Sequence, residues 1–193
     1  MKIVVIGASG TIGRAVSAAL AERHGVVPAS RRGQVRVDVA DPASIEALFD
    51  AVPDVDAVVC CAASGALTPL ASRDDDEFLT GLDGKLLGQV RLVRAAARRL
   101  PRGGSVTLTS GRFDGPLPGS TFGHLVNAGL EAFVRAAAAE MPDARRVNVV
   151  SPGWVRETLA ALGEDGGVPA AVLARVYVDA VEGAMTGCTL TAR

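Results

Sequence analysis

The feature that most constrains this chain lies at its start. The apolar run Lys2–Ile6, KIVVI, passes directly into GASGTIG, Gly7 to Gly13. A continuous apolar run suits a strand buried on both faces. The glycines then fit the turn from that strand into a helix. Gly7 permits the tight turn, Gly10 lets backbone approach a ligand, and Gly13 lets the helix pack close to the sheet. The first N–H groups of the helix have no partner within it, and with the helix dipole they suit a pyrophosphate. Ser9, Thr11 and Ile12 complete the expected phosphate loop. The spacing is G-x-x-G-x-x-G rather than G-x-G-x-x-G, and its place after a strand is what makes it informative.

The rest of the chain alternates strand and helix patterns. GVVPAS and QVRVDV read as short strands, and DPASIEALFDAV as a helix with Asp41 as cap and Pro42 in the first turn. DAVVCCAA is another buried strand, Phe78–Leu100 one long helix, and GSVTLTS a strand. Thr121–Met141 reads as a helix, RRVNVVSPG as a strand, VPAAVLARVYVDAVEGA as a helix and GCTLTA as the last strand. This alternation, without a long linker or a fixed-period repeat, predicts an α/β fold: one doubly wound, Rossmann-type parallel sheet with helices on both faces. Residues 1–193 are expected to form a single dinucleotide-binding domain.

Composition narrows the partners. A net charge of −1 gives no footing for nucleic acid or an anionic membrane surface. No apolar run is long enough to span a bilayer. The start of the chain reads as a strand and not as a signal peptide. Cys60, Cys61 and Cys188 are an odd set with two adjacent members, which suits reduced thiols in a cytoplasmic protein. The acids of RDDDEF suit a solvated helix start, and no histidine or cysteine joins them as a metal ligand.

The choice of cofactor should be legible about 20 residues beyond the glycine loop, where an acid would hold the ribose 2′-hydroxyl of NAD. Here the chain has PASRRG. Ser30, Arg31 and Arg32 offer a hydroxyl and two guanidinium groups, which suit a 2′-phosphate. NADP (as NADPH) is therefore expected, with NAD possible. Asp38 is placed either to accept from an adenine amino group or to cap a turn.

These segments resemble the short-chain dehydrogenase/reductase superfamily over nearly the whole chain. GASGTIG resembles its glycine loop, and VDV at Val37–Val39 its adenine-contacting segment. VVCCAA, with Ala62, lies where the family often has Asn-Asn-Ala-Gly. TLTSG resembles the strand that carries the catalytic serine, and NAGLEAFVRAAAAEM the helix after the catalytic lysine. VNVVSPGWVRET is similar to the segment that sets a Pro-Gly turn, here Pro152 and Gly153, beside the nicotinamide.

The resemblance implies a tetrad of asparagine, serine, tyrosine and lysine. Ser110 matches the serine, but Gly123 stands at the tyrosine, Asn127 at the lysine and Lys85 at the asparagine. The tyrosine's role as acid cannot be carried over to this chain. Lys85 shares a helical face with Phe78, Leu82, Leu92 and Ala96, so it is either snorkelling or part of a site. Asn127 shares a face with Gly123, Leu130 and Val134, and can hydrogen-bond a ribose hydroxyl or be a satisfied buried amide. His124 lies on a stripe with Ala128, Glu131 and Arg135 that reads as solvated. Tyr177 reads as structural, and Cys60 and Cys61 as small core residues.

The expected function is an NADP-preferring oxidoreductase acting on a small carbonyl or alcohol, with Ser110, Lys85 and Asn127 as catalytic residues. Two alternatives stand beside it. One is a catalytically degenerate dinucleotide sensor, and the other is an enzyme of this fold carrying out a non-redox cyclisation or dehydration. The Ala-rich faces of the two long helices, and the family's habit of pairing through them, suggest a homodimer or homotetramer.

Overall fold

A computed structural model describes residues 1–63 and 65–192. Seven parallel strands form one sheet in the order β3-β2-β1-β4-β5-β6-β7. The strands are β1 (Lys2–Ile6), β2 (Gly25–Ser30), β3 (Val35–Arg36), β4 (Ala57–Cys60), β5 (Ser105–Thr109), β6 (Arg146–Val150) and β7 (Thr189–Leu190). The helices are α1 (Thr11–Ala21), α2 (Pro42–Ala51), α3 (Asp75–Phe78), α4 (Gln89–Arg99), α5 (Thr121–Ala137), α6 (Arg156–Ala161) and α7 (Ala170–Glu182). The chain winds outward from β1 in one direction and from β4 in the other. The order therefore reverses between those two strands, and in open α/β sheets ligands bind outside the strand ends at such a point.

Side chains alternate across the sheet with period two. Ile3 and Val5 of β1 face Val16, Leu20, Ala174 and Tyr177 of α1 and α7. Val4 and Ile6 face the opposite layer, where Ile45 and Leu48 of α2, Leu92 and Ala96 of α4 and Leu130 and Val134 of α5 pack. The continuous apolar runs of β1, β4 and β5 follow from this double coverage. Tyr177 is fully buried, and its hydroxyl lies 2.7 Å from Thr109 Oγ1, so the one tyrosine of the chain is structural. Asp41 caps α2 through the Ala43 N–H at 2.9 Å, with Pro42 in the first turn. Asp74 caps α3 by accepting from Asp76 and Glu77, and acids fill that helix's first turn.

The expected single helix from Phe78 to Leu100 is divided in three. α3 ends at Phe78, Gly81 takes φ 102°, and Leu82–Gly88 forms a π-helical segment before α4 begins at Gln89. The Gly81 carbonyl accepts from Lys85 N–H at 2.8 Å and from Leu86 N–H, five residues on, at 3.2 Å. Apolar periodicity continued through LTGLDGKLLG, but its glycines allow a backbone that the periodicity does not register. Asp38 lies beyond β3, which ends at Arg36, and not inside a strand. The segment after Pro152–Gly153 contains a short helix, α6, that its sequence pattern did not announce.

Candidate active site

The glycine loop forms as its spacing requires. Gly7 has φ 78°, and a Cβ there would lie 2.7 Å from the Ala62 amide nitrogen. A Cβ at Gly13 would collide with the Gly7 carbonyl, so α1 can pack this close only with glycine. No side chain caps α1, which leaves the N–H groups of its first turn without a side-chain partner.

A cleft of about 590 Å³ opens over the carboxyl ends of β1 to β4. Its walls include Gly7, Ser9 and Gly10 after β1, Ser30, Arg31 and Arg32 after β2, Asp38 and Val39 after β3, and Cys61 and Ala62 after β4. Thr11 and Ile12 are not among its walls; they form the first turn of α1, and Ile12 packs on the core beneath. Asp38 does both things open to it in sequence, for it lines the cleft while its Oδ1 accepts from Ala40 N–H at 3.0 Å. The thiol of Cys60 is pushed up to about 12 by burial, and that of Cys61 is raised by burial and by its neighbour Cys60. Thiols so raised stay protonated and are poor nucleophiles.

The cleft's far rim includes Gly81 and Gly84, and the residue after Gly84 is Lys85. Here Ser110, Lys85 and Asn127 meet. A Cβ built at Gly111 would lie 3.5 Å from Lys85 Nζ, 3.4 Å from Asn127 Nδ2 and 3.5 Å from Asn127 Oδ1. Asn127 is buried, and its Oδ1 has no hydrogen-bond partner among the described residues. Burial lowers the affinity of Lys85 for its proton below the ordinary lysine range. Gln89 holds this corner in place. Its Nε2 donates to the Lys85 carbonyl at 2.7 Å and to the Thr109 carbonyl at 2.9 Å, and its Oε1 accepts from Thr109 N–H at 2.8 Å.

Sequence reasoning missed one member of the site. Ser110 Oγ donates to Glu131 Oε1 at 2.8 Å. Glu131 was read onto a solvated stripe with His124, yet it lies four residues beyond Asn127 and eight beyond Gly123, on the face those residues share. In this arrangement the serine's proton points to a carboxylate, so its oxygen offers lone pairs to the cleft side.

The place a tyrosine ring would leave from Gly123 is filled from the neighbouring loop. A Cβ at Gly123 would lie 3.2 Å from Phe113 Cε2 and 3.3 Å from its Cζ. The Phe113 ring also packs against His124, with centroids 4.8 Å apart, and edge-on to Trp154 at 6.1 Å. Pro152 and Gly153 lie at the tip of β6, where the Pro152 carbonyl accepts from Arg112 N–H at 2.9 Å. The Arg112 side chain lies over Gly153, with Nε 3.5 Å from where a Cβ would stand.

The Enoyl-(Acyl carrier protein) reductase family model matches residues 2–178. The chain superposes on the crystal structure of the protein lin1944 from Listeria innocua with a TM-score of 0.94, at 35% identity and with all of both chains covered. A short chain dehydrogenase/reductase family protein matches at 27% identity and a TM-score of 0.88, covering 100% of this chain and 95% of that one. A small-chain dehydrogenase in complex with NADPH matches at 25% identity and a TM-score of 0.85, covering 99% and 95%. No curated protein matches the chain. The strand order, the glycine loop and a family match spanning nearly the whole sequence lead to one statement: this chain belongs to the short-chain dehydrogenase/reductase superfamily.

Proposed function

We propose that the protein is an NADP-preferring reductase of a small carbonyl compound in which Lys85 takes the part that a tyrosine plays in its relatives. The observation that carries this is the convergence of Lys85 Nζ and the Asn127 amide over Gly111, beside Ser110. The donor set suits a dinucleotide. The glycine cradle and the uncapped α1 fit a pyrophosphate, and the unpartnered Oδ1 of Asn127 is an acceptor ready for a ribose hydroxyl. Ser30, Arg31 and Arg32 on the cleft wall favour a 2′-phosphate. A similar protein was crystallised with NADPH, which agrees with this choice.

When bound, the nicotinamide supplies a hydride to the carbonyl carbon. Lys85 then meets the charge that develops on the oxygen, either by giving it a proton or by staying an ammonium beside it. Partial burial without a compensating carboxylate brings its pKa down toward the range useful for an acid. Glu131 fixes the Ser110 hydroxyl, and Gln89 fixes the backbone that carries Lys85.

One observation favours a second reading. Phe113 fills the space over Gly123, as it would in a dinucleotide sensor that has lost its chemistry. Titration with NADPH and NADH, followed by a carbonyl screen with deuterated cofactor, separates the two. The reductase reading expects NADPH to bind more tightly by about 1–3 kcal/mol, the range for charge-assisted hydrogen bonds, with label transferred to product. Equal affinities contradict the NADP preference. Binding without any label transfer favours the sensor, and turnover without cofactor favours a non-redox enzyme.

A further inference from the structure

Two cationic side chains flank Gly111, and neither is matched by the protein itself. Lys85 Nζ approaches from the π-helical segment, and the Arg112 guanidinium lies over the Pro152–Gly153 turn. Among the described residues no carboxylate lies within 4.0 Å of either cation, and neither side chain makes a hydrogen bond. The acid in the site, Glu131, is engaged by the Ser110 hydroxyl. The buried Asn127 amide, with its orphaned oxygen, closes the same corner. Phe113 and Trp154 form an apolar wall beside it, and charges beside low-dielectric surface attract more strongly than charges in open water.

We infer that the site takes an oxo acid whose carboxylate is bound by Arg112 while its ketone oxygen faces Lys85. A guanidinium presents two parallel N–H groups to a carboxylate, which a point-charge ammonium does not. The inference rests on the reductase reading, and it narrows the substrate to free acids over esters or thioesters of the same carbon skeleton. An anion would also supply the counter-charge that the half-buried Lys85 lacks, keeping the ammonium protonated for its role at the oxygen.

The test uses the chain's one tryptophan, Trp154, which follows Gly153 and packs edge-on to Phe113. Trp154 fluorescence is titrated with straight-chain 2-oxo acids, from 2-oxobutanoate to 2-oxooctanoate, and with their methyl esters, with and without saturating NADP⁺. The acids are expected to bind roughly ten- to a hundredfold more tightly than their esters, as hydrogen bonds to a charged group would give. Arg112→Gln should erase that difference, and Arg112→Lys should restore part of it. Equal affinities of acid and ester across the series, or no response to any acid up to about 10 mM, where binding falls below a useful free energy, overturn the inference. Label transfer from deuterated NADPH to acids and esters alike leaves the reductase reading standing and rejects this one. An acid preference without label transfer does the reverse.

Discussion

Lys85 is the residue on which the chemistry turns, and its own titration makes it testable apart from any substrate. Burial holds its pKa below the ordinary 10.5 in the folded chain, while the unfolded chain keeps the ordinary value. Between the lowered value and 10.5 the unfolded state binds more protons, so stability should rise with pH through that window. Below both values the full penalty of burying the ammonium applies. Lys85→Met should flatten this slope and raise stability at neutral pH, as urea unfolding across the pH range would show; an unchanged slope would mean the lysine is solvated. Glu131 makes a second case. Glu131→Ala strands a buried Ser110 hydroxyl and should cost about 1–3 kcal/mol, whereas Ser110→Ala/Glu131→Ala should cost little more than either change alone. Lys85 was legible in sequence because a motif position marked it. Glu131 was not, because its partner lies 21 residues away on another element and helical periodicity records only the helix's own faces.

At the scale of elements, the division of one expected helix into α3, a π-helical segment and α4 is what delivers Lys85 to the strand tips. The wider turn between Gly81 and Gly88 is held from both sides. A Cβ on Gly88 would lie 2.5 Å from the Val39 carbonyl oxygen, and Gln89 joins Lys85 to Thr109. Gln89→Leu keeps volume but leaves the buried Thr109 backbone groups unpaired. It should cost about 1–3 kcal/mol in urea unfolding, and it should reduce turnover more than NADPH affinity. Equal losses in both would show that the segment serves the cofactor and not Lys85. The strands and the glycine loop were legible because burial on both faces writes continuous apolar runs and because a strand–glycine–helix transition has few geometries. The π-helical segment was not, since its residues keep the helical pattern while the hydrogen-bond register changes.

At the scale of the whole molecule, the sheet sets two half-sites side by side, a cleft for the dinucleotide over β1 to β4 and a reaction corner over β5 and β6. α5 presents Leu125, 63% exposed, together with exposed Ala128, Ala132 and Ala136, and a small-residue face of this kind allows a second helix to approach closely. We propose a homodimer through this helix; light scattering at micromolar concentration should give twice the chain mass of 19.7 kDa, and a monomer would count against it. Sequence placed all the parts of the site at the carboxyl edge of one sheet, but Phe113 in the tyrosine's space and Arg112 over Gly153 depend on how two loops meet. The most direct test of the account is single-turnover deuteride transfer from labelled NADPH, followed against pH in the wild type and in Lys85→Met. The wild-type rate should hold at low pH and fall as Lys85 loses its proton. The variant should bind NADPH as the wild type does, lose roughly 10²–10⁴-fold in rate, and show no such fall. Deuteride transfer by Lys85→Met at the wild-type rate and with the wild-type pH profile would contradict the account.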